Sequence, residues 1–485
     1  MSYPHACQFK RLALGLSVFA AMLSSAQAQT SDAQTIDELR AQLNQMQQRI
    51  EQLERQQSQG ASNNDQSMAS NQGISGQNSS DQSNSSQSGS SQTGSTQSNA
   101  SQDAYGEGTA TGTSANGEEA QLAQQNQQAL EEMQQVEIGG LLELSGSVND
   151  WDSQSKDTSG DLDFGKFVVT VQGETGAIDY SMAYRFYNDY HFLQHGWIGY
   201  NPTEQDSFKL GLVQTPFGNM DYGYLGWYGN LGYIAGFNDN QNAGLKWDHS
   251  AGPWDTSLAF FKSDSLGNGN EHYGANAVGD SAQGNSEENQ VAARVGYTFG
   301  HDTDYATQVN VSAKGGQLYN RNTERSGDNW SAALGVDGSY GNWRTLAQAT
   351  TYEYNAKNPA ESTSGISDNA LQIGAFNFNY LIPAQGEIYS ASVGYSLDVD
   401  WGPVESLFFF NDFSVIDPSG DFTALNGGFG DQQNPMVNDL GVQMTAGPFF
   451  AWFDIVSNKN GLDYFGSPVD DRWNTAFLTN FGFEF

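Results

Sequence analysis

Cysteine is almost absent from this chain of 485 residues, and the single Cys7 lies close to its start. It precedes an apolar run at positions 12–23, which follows Lys10 and Arg11 and leads to the small residues "AQA". A basic start, a short apolar run and a small-residue cleavage site are typical of a secretory signal peptide. We therefore expect residues 1–28 to be removed on export together with Cys7, so that no disulfide stabilises the exported protein.

Long apolar runs and charged residues are scarce as well. No stretch approaches the roughly 18 consecutive apolar residues of a membrane-spanning helix, which argues against a helical membrane protein. Charged residues make up 15% of the chain, against about a quarter in an average soluble domain. Positive charges are the rarer kind, with 19 Lys and Arg against 56 Asp and Glu. What the chain has in abundance is Gly (55), Phe (28) and Tyr (22), a composition that favours strands and turns.

Residues 29–57 carry a heptad pattern. Six apolar positions alternate spacings of three and four residues: Ile36, Leu39, Leu43, Met46, Ile50 and Leu53. This spacing predicts a periplasmic coiled coil, and association must stabilise it because so short a helix is marginal alone. Ile at a with Leu at d favours dimers in model systems, whereas one segment matches a short pattern of trimeric coiled coils: Arg49, Ile50, Leu53 and Glu54. We predict a trimer; the alternative is a single amphipathic helix packed on a globular body.

A low-complexity linker is expected over residues 58–135. Its first part, 58–117, consists largely of Ser, Gln, Asn and Gly, a composition that cannot bury a core and predicts a flexible tether. Its second part, 118–135, has sparse apolar positions and predicts a weak helix whose role is left open.

From residue 136 to the end, segments of about ten residues alternate apolar and polar positions between turn-forming residues. The segment "GKFVVTVQG" shows the pattern, with Phe167, Val169 and Val171 on one face and Lys166, Thr170 and Gln172 on the other. Short connections alternate with long polar ones, as they do in a transmembrane β-barrel. We predict an all-β antiparallel barrel over 136–485. About 17 segments qualify as strands, but bacterial barrels have even counts, so we predict 16 strands, with 18 as the alternative and the ambiguity at 368–414.

A soluble β-sandwich would also show alternation, so the two interpretations need a further distinction. Here the apolar face is rich in aromatic residues near the strand ends, as in the interfacial girdles of membrane barrels, and the opposite face is small and polar. The last predicted strand also alternates aromatic residues with others, and it includes Phe481, Phe483 and Phe485. Both features favour the membrane barrel, whose first and last strands must pair because the bilayer offers no hydrogen bonds.

The stretch 195–223, and above all "GLVQTPFG" at 211–218, resembles the Gram-negative outer-membrane porins related to phosphate-selective porins O and P. The coiled coil ahead of a barrel is similar to that of sugar-specific and other trimeric porins. This resemblance implies a trimer of 16-stranded barrels that conducts small hydrophilic solutes. It also implies that Phe481, Phe483 and Phe485 form the signal read by the outer-membrane assembly machinery. One departure is the charge: from residue 136 onward 14 Lys and Arg face 43 Asp and Glu, which puts phosphate selectivity in doubt.

The long connection 215–241 is too aromatic for a solvated loop. The residues expected to form a constriction inside the pore are Met220, Asp221, Tyr222, Tyr224, Trp227, Tyr228 and Asn230. Of these, Asp221, Tyr224 and Asn230 are expected to face the solute, and aromatic rings beside polar groups would suit a sugar. The alternative is a loop that latches over a neighbouring subunit or packs on the outer rim.

Several charged residues share the lumen-facing parity of the predicted strands: Glu143, Lys166, Arg185, Lys209, Lys246, Asp248 and Arg294. They predict either a transverse field that orients dipolar solutes or ion pairs between neighbouring strands. Most acidic residues fall in predicted loops, where they could bind divalent cations near lipopolysaccharide or simply keep the outer surface soluble. The acidic excess predicts a preference for cations.

Catalytic signals are lacking. None of the six His forms a metal pair or a nucleophile set, and no Gly-rich phosphate loop follows a strand. We therefore expect no enzyme activity, cofactor, metal or nucleic-acid partner. The competing hypothesis is an outer-membrane anchor or adhesin, in which the coiled coil reaches the cell wall and the barrel holds it.

Overall fold

The computed structural model describes residues 136–267, 269–419, 434–462 and 466–485. The expected signal peptide, coiled coil and linker lie outside the described residues. The same is true of the expected trimerisation residues Arg49, Ile50, Leu53 and Glu54, which remain predictions.

The described chain is almost entirely β-structure. Its strands, in chain order, are β1 Val136–Asn149, β2 Asp161–Thr175, β3 Ile178–Phe186, β4 His191–Tyr200, β5 Asp206–Gln214, β6 Gln241–Ala251, β7 Trp254–Ser263, β8 Asn276–Ala277, β9 Asn285–Phe299, β10 Tyr305–Asn320, β11 Arg325–Tyr340, β12 Trp343–Asn355, β13 Ala370–Ala375, β14 Phe378–Pro383, β15 Gln385–Trp401, β16 Val404–Pro418, β17 Met436–Ala446, β18 Phe449–Lys459 and β19 Asn474–Glu484. Three short helices interrupt them: α1 Ser153–Thr158, α2 Leu231–Ile234 and α3 Glu361–Ser364. Within these described residues no helix is both long and apolar enough to cross a membrane.

Sixteen of the strands close into an antiparallel barrel, which confirms the predicted fold and strand number. The barrel closes where β1 pairs with β19, with Leu144 opposite Phe481. The chain end is part of this closure, because the backbone N–H of Gly140 donates to the carbonyl of Phe485 at 2.9 Å. A closed sheet leaves no unpaired edge, which is the requirement that hydrocarbon surroundings impose.

The remaining strands explain the ambiguous count at 368–414. There β13 and β14 form a hairpin that pairs with β8 in a separate three-stranded sheet outside the barrel wall. The hairpin belongs to the long β12–β15 connection, which is why the sequence shows alternation there without adding strands to the barrel.

The two faces of the barrel wall differ in exposure as the alternation predicts. On β19, Phe477 and Phe481 are 44% and 43% exposed, whereas Leu478 and Asn480 between them are buried. Exposed aromatic residues flank the tight turns at one rim, among them Trp254, Tyr305 and Trp343. The outward face is therefore apolar with an aromatic rim.

The inward face is not polar along its whole length, which corrects the sequence-based expectation. Near the long connections, Ile388, Ile416 and Leu478 point inward and are at most 2% exposed. They pack in one apolar cluster with residues of the long connections, including Ile234 of α2 and Leu371 of β13. The physical reason is that the long connections fold back onto the wall and supply it with an apolar partner.

Candidate functional site

The connection between β5 and β6, residues 215–240, crosses the inside of the barrel. Near its start, the backbone N–H of Gly218 donates to Ser312 Oγ of β10 at 2.8 Å. The next N–H, of Asn219, donates to Gln348 Oε1 of β12 at 2.7 Å. Both acceptors are buried inner-face residues, so the segment is fixed to a wall several strands away from its own.

Further along, the segment reaches the far side of the barrel. The carboxylate of Asp412 on β16 accepts from the backbone N–H groups of Leu225 at 3.0 Å and Gly226 at 2.7 Å. The indole N–H of Trp227 donates to Glu143 Oε2 of β1 at 3.3 Å. These bonds place residues 215–240 within the lumen rather than over a rim.

Gly226 is required where the segment meets the wall. A Cβ at this position would lie 2.3 Å from the ring of Phe410 and 2.6 Å from Asp439 Oδ2. Any side chain would therefore force the Phe410 ring and the Asp439 carboxylate, or the segment itself, to move. The close approach is what allows Asp412 to accept two neighbouring backbone N–H groups.

The residues expected to constrict the pore differ in exposure. Asp221 and Tyr222 are exposed, and the ring of Tyr222 lies 5.6 Å from that of Tyr224. Met220, Tyr224 and Trp227 are partly buried and Tyr228 is buried. Asn230 is also buried, which corrects the expectation that it faces the solute: its side chain caps α2 by accepting from Tyr233 N and donates to the carbonyl of Gly223.

Asp239 ties the base of this segment to its neighbours. Its carboxylate accepts from Gln241 at 3.0 Å and from Gln214 at 3.2 Å, and also from the hydroxyl of Tyr273 in the β7–β9 connection. Burial raises the pKa of Asp239 to about 7, because its effect is larger than that of the hydrogen bonds, which favour the ionised form and lower the pKa. The group therefore titrates near neutral pH at the junction of two connections.

A polar cavity of about 400 Å³ lies between Met220 and Asp221 of the segment and the wall formed by β6, β7, β9, β10 and β11. Four carboxylates line it: Asp221, Asp248, Asp255 and Asp337. Lys246 and Arg294 line it too, but they are only 7% and 5% exposed. Because the carboxylates are the more accessible groups, the cavity presents mainly negative charge and hydrogen-bond acceptors.

Arg294 joins this cavity to the loop. Its Nε donates to the carbonyl of Gly218 at 2.8 Å, and Nη2 donates to Gln308 Oε1 at 2.5 Å. Gln308 in turn donates to Asp255 at 3.0 Å. This chain of bonds fixes the start of residues 215–240 against the wall.

Two further cavity carboxylates, Asp248 and Asp337, have protein partners as well. Lys246 Nζ lies 3.3 Å from Asp248, which also accepts from Ser257 at 2.6 Å. Asp337 is paired with Arg344 at 2.6 Å. Among the described residues, no hydrogen bond or ion pair is made by the side chain of Asp221, which leaves its carboxylate available in the cavity.

The remaining sequence-predicted charges lie on β1, β2, β3 and β5. Lys166 pairs with Glu143 at 3.1 Å. Arg185 donates from Nε to Gln194 at 2.8 Å and lies over the ring of Tyr273 at 4.5 Å. Lys209 lies over the ring of Trp197 at 4.5 Å. Within the described chain, Arg185 and Lys209 have no carboxylate within 4 Å, so the interpretation as ion pairs does not extend to them, and the transverse field stays a prediction.

The sequence reasoning missed three inward carboxylates, Asp412, Asp439 and Asp454, which lie on β16, β17 and β18 and are at most 1% exposed. Strand parity could have found them, since Asp454 alternates with outward residues such as Ile455. β17 is eight strands from β6 around the barrel, so these acids lie opposite Lys246. The loop covers them, however, and Asp412 holds the loop rather than lining the cavity.

No protein-family model matches the chain, and no curated protein matches it. Solved structures similar to it include the outer membrane channel DcaP of Acinetobacter baumannii, with 11% identity and a TM-score of 0.48, covering 72% of this chain and 97% of that one. The anion-selective porin from Comamonas acidovorans has 10% identity and a TM-score of 0.44, covering 72% and 99%. The outer membrane protein OpdK of Pseudomonas aeruginosa has 9% identity and a TM-score of 0.41, covering 73% and 99%.

Proposed function

We propose that the protein is a porin of a Gram-negative outer membrane, a water-filled channel for passive diffusion of small hydrophilic solutes and ions. The closed barrel with an apolar outer face supports the membrane location. The single observation that carries the channel function is the loop fixed across the lumen beside a polar cavity. A barrel that served only as an anchor would need no such polar cavity.

Cation preference is the finer part of this proposal. The cavity lining has four carboxylates against two recessed cations, and charged side chains in a constriction set ion selectivity. Hydrogen bonds and ion pairs partly offset the negative charge of three of these carboxylates, so the preference for cations should be modest. Asp221 contributes most, because its charge is exposed and unpaired within the described chain.

The oligomer and the periplasmic segment complete the proposal. We expect a homotrimer surrounded by lipid and lipopolysaccharide, with the coiled coil of residues 29–57 on the periplasmic side. The assembly machinery would read Phe481, Phe483 and Phe485 at the end of β19.

Planar bilayer recordings test the function. The purified full chain is expected to give discrete conductance steps, in threes for a trimer, and a reversal potential of the cation-preferring sign in a KCl gradient. Clear anion preference would refute the selectivity, and an inserted barrel that carries no current would favour the anchor hypothesis. Liposome swelling with sugars, amino acids, dicarboxylates and phosphate would then define the solute class.

A further inference from the structure

The polar cavity beside Met220 and Asp221 contains one carboxylate, that of Asp221, that accepts no hydrogen bond from the described residues. Asp221 is exposed, its φ is +63°, and its own backbone carbonyl accepts from Gln214 Nε2 at 2.6 Å. Its backbone is therefore held while its side chain is free. A carboxylate can accept several hydrogen bonds at once, and a charged donor makes the strongest of them.

The other accessible groups of this cavity are mostly acceptors. The carboxylates of Asp248 and Asp255 lie on β6 and β7, and hydroxyl oxygens of Ser250 and Ser257 lie beside them. Both hydroxyls already donate their hydrogen to these carboxylates, so the lone pairs of the hydroxyl oxygens remain available to accept from a ligand. A ligand that supplies several N–H donors and a positive charge matches this lining.

The volume argues for an organic ligand. About 400 Å³ falls in the range of roughly 300–1,000 Å³ that is usual for small-molecule sites. The acceptors come from a loop and from several strands around this space, so a ligand must extend across it to meet more than one of them.

We propose that this cavity is a binding site for solutes with a primary ammonium group, and that Asp221 is its main charged contact. The inference rests on the proposed channel function and names one solute class for it. A primary ammonium offers three N–H donors to Asp221, and a hydroxyl carried by the same solute can donate to acceptors of the β6–β7 wall. Selectivity then depends on hydrogen bonds as well as on charge.

Block of the potassium current by ethanolammonium tests this in planar bilayers containing the full chain. Tetramethylammonium carries the same charge without an N–H donor, and ethylene glycol is a neutral comparison. The proposal predicts block by ethanolammonium at concentrations at least about tenfold lower than by tetramethylammonium, since charge-assisted hydrogen bonds are the stronger kind. Ethylene glycol should not block.

Asp221→Asn should raise the half-blocking concentration of ethanolammonium about tenfold and leave that of tetramethylammonium nearly unchanged. Asp302→Asn is the matched control, because Asp302 also has a positive φ, 64°, and its side chain is 84% exposed in the β9–β10 turn. Asn tolerates this backbone region, so both variants should fold.

Equal block by the two cations, or equal block of the wild type and Asp221→Asn, would overturn the ammonium site while leaving the channel function intact. Absence of any potassium current in the wild type would instead refute the channel function, and the ammonium site with it.

Discussion

Asp412 is expected to hold the loop across the lumen, and Asp412→Ala should release it. The carboxylate is 1% exposed and accepts from Leu225 and Gly226 at 3.0 and 2.7 Å. Without Asp412 the backbone N–H groups of Leu225 and Gly226 would lack acceptors, which costs about 1–3 kcal/mol for each buried donor, or about 2–6 kcal/mol for the two.

A net loss of about 3 kcal/mol would raise the population of the released loop about a hundredfold. Single-channel recordings should then show excess open-channel noise and larger conductance substates. Asp412→Asn keeps one acceptor oxygen and should give an intermediate effect. Asp398→Ala, at an exposed site on β15, is the control for a lost carboxylate.

The reasoning would be refuted if Asp412→Ala channels had the conductance and noise of the wild type. Heat-resistant migration on gels should be unchanged in all three variants, because no strand pairing of the barrel depends on the Asp412 side chain.

Further predictions concern the chain end, the loop base and the coiled coil. Deleting Phe485 should impair assembly far more than the conductance of assembled channels, because its backbone exchanges two hydrogen bonds with Gly140; normal yield of folded barrel would contradict this. Since the pKa of Asp239 is about 7 when the loop is docked, against an ordinary value of 3.8, docking should weaken as pH rises from about 4 to about 7 and level off above. Current noise should follow this profile, and Asp239→Asn should abolish the dependence; an unchanged profile in the variant would count against the assignment. Deleting residues 29–57 should weaken the trimer, and an unchanged trimer on native gels would show that the coiled coil has another role.

The barrel was predictable from sequence because strand alternation and connection length are local properties. Each strand of a membrane barrel faces lipid on one side, so its period of two appears without knowledge of its neighbours. The hairpin of β13 and β14 has the same period, but it packs on a loop instead of joining the wall. Only tertiary contacts distinguish the two cases.

The site was predictable only in part. The aromatic content of residues 215–241 indicated a packed segment, and the lumen parity identified Lys246, Asp248 and Arg294. Burial of Asn230 depends on the short helix α2, which no periodic signal marks. The role of Asp412 depends on the path of a loop that begins at β5, and no local pattern on β16 specifies that contact.

The central claim is that residues 215–240 line the conducting path, and cysteine modification tests it most directly. Because Cys7 is expected to leave with the signal peptide, Tyr222→Cys gives the exported protein one thiol at an exposed position of residues 215–240, and Leu210→Cys gives it one on the outward face of β5, where Leu210 is 64% exposed. A charged, water-soluble thiol reagent should reduce the single-channel current of Tyr222→Cys and leave Leu210→Cys unchanged. A current that persists unaltered after verified modification of Tyr222→Cys would contradict the account.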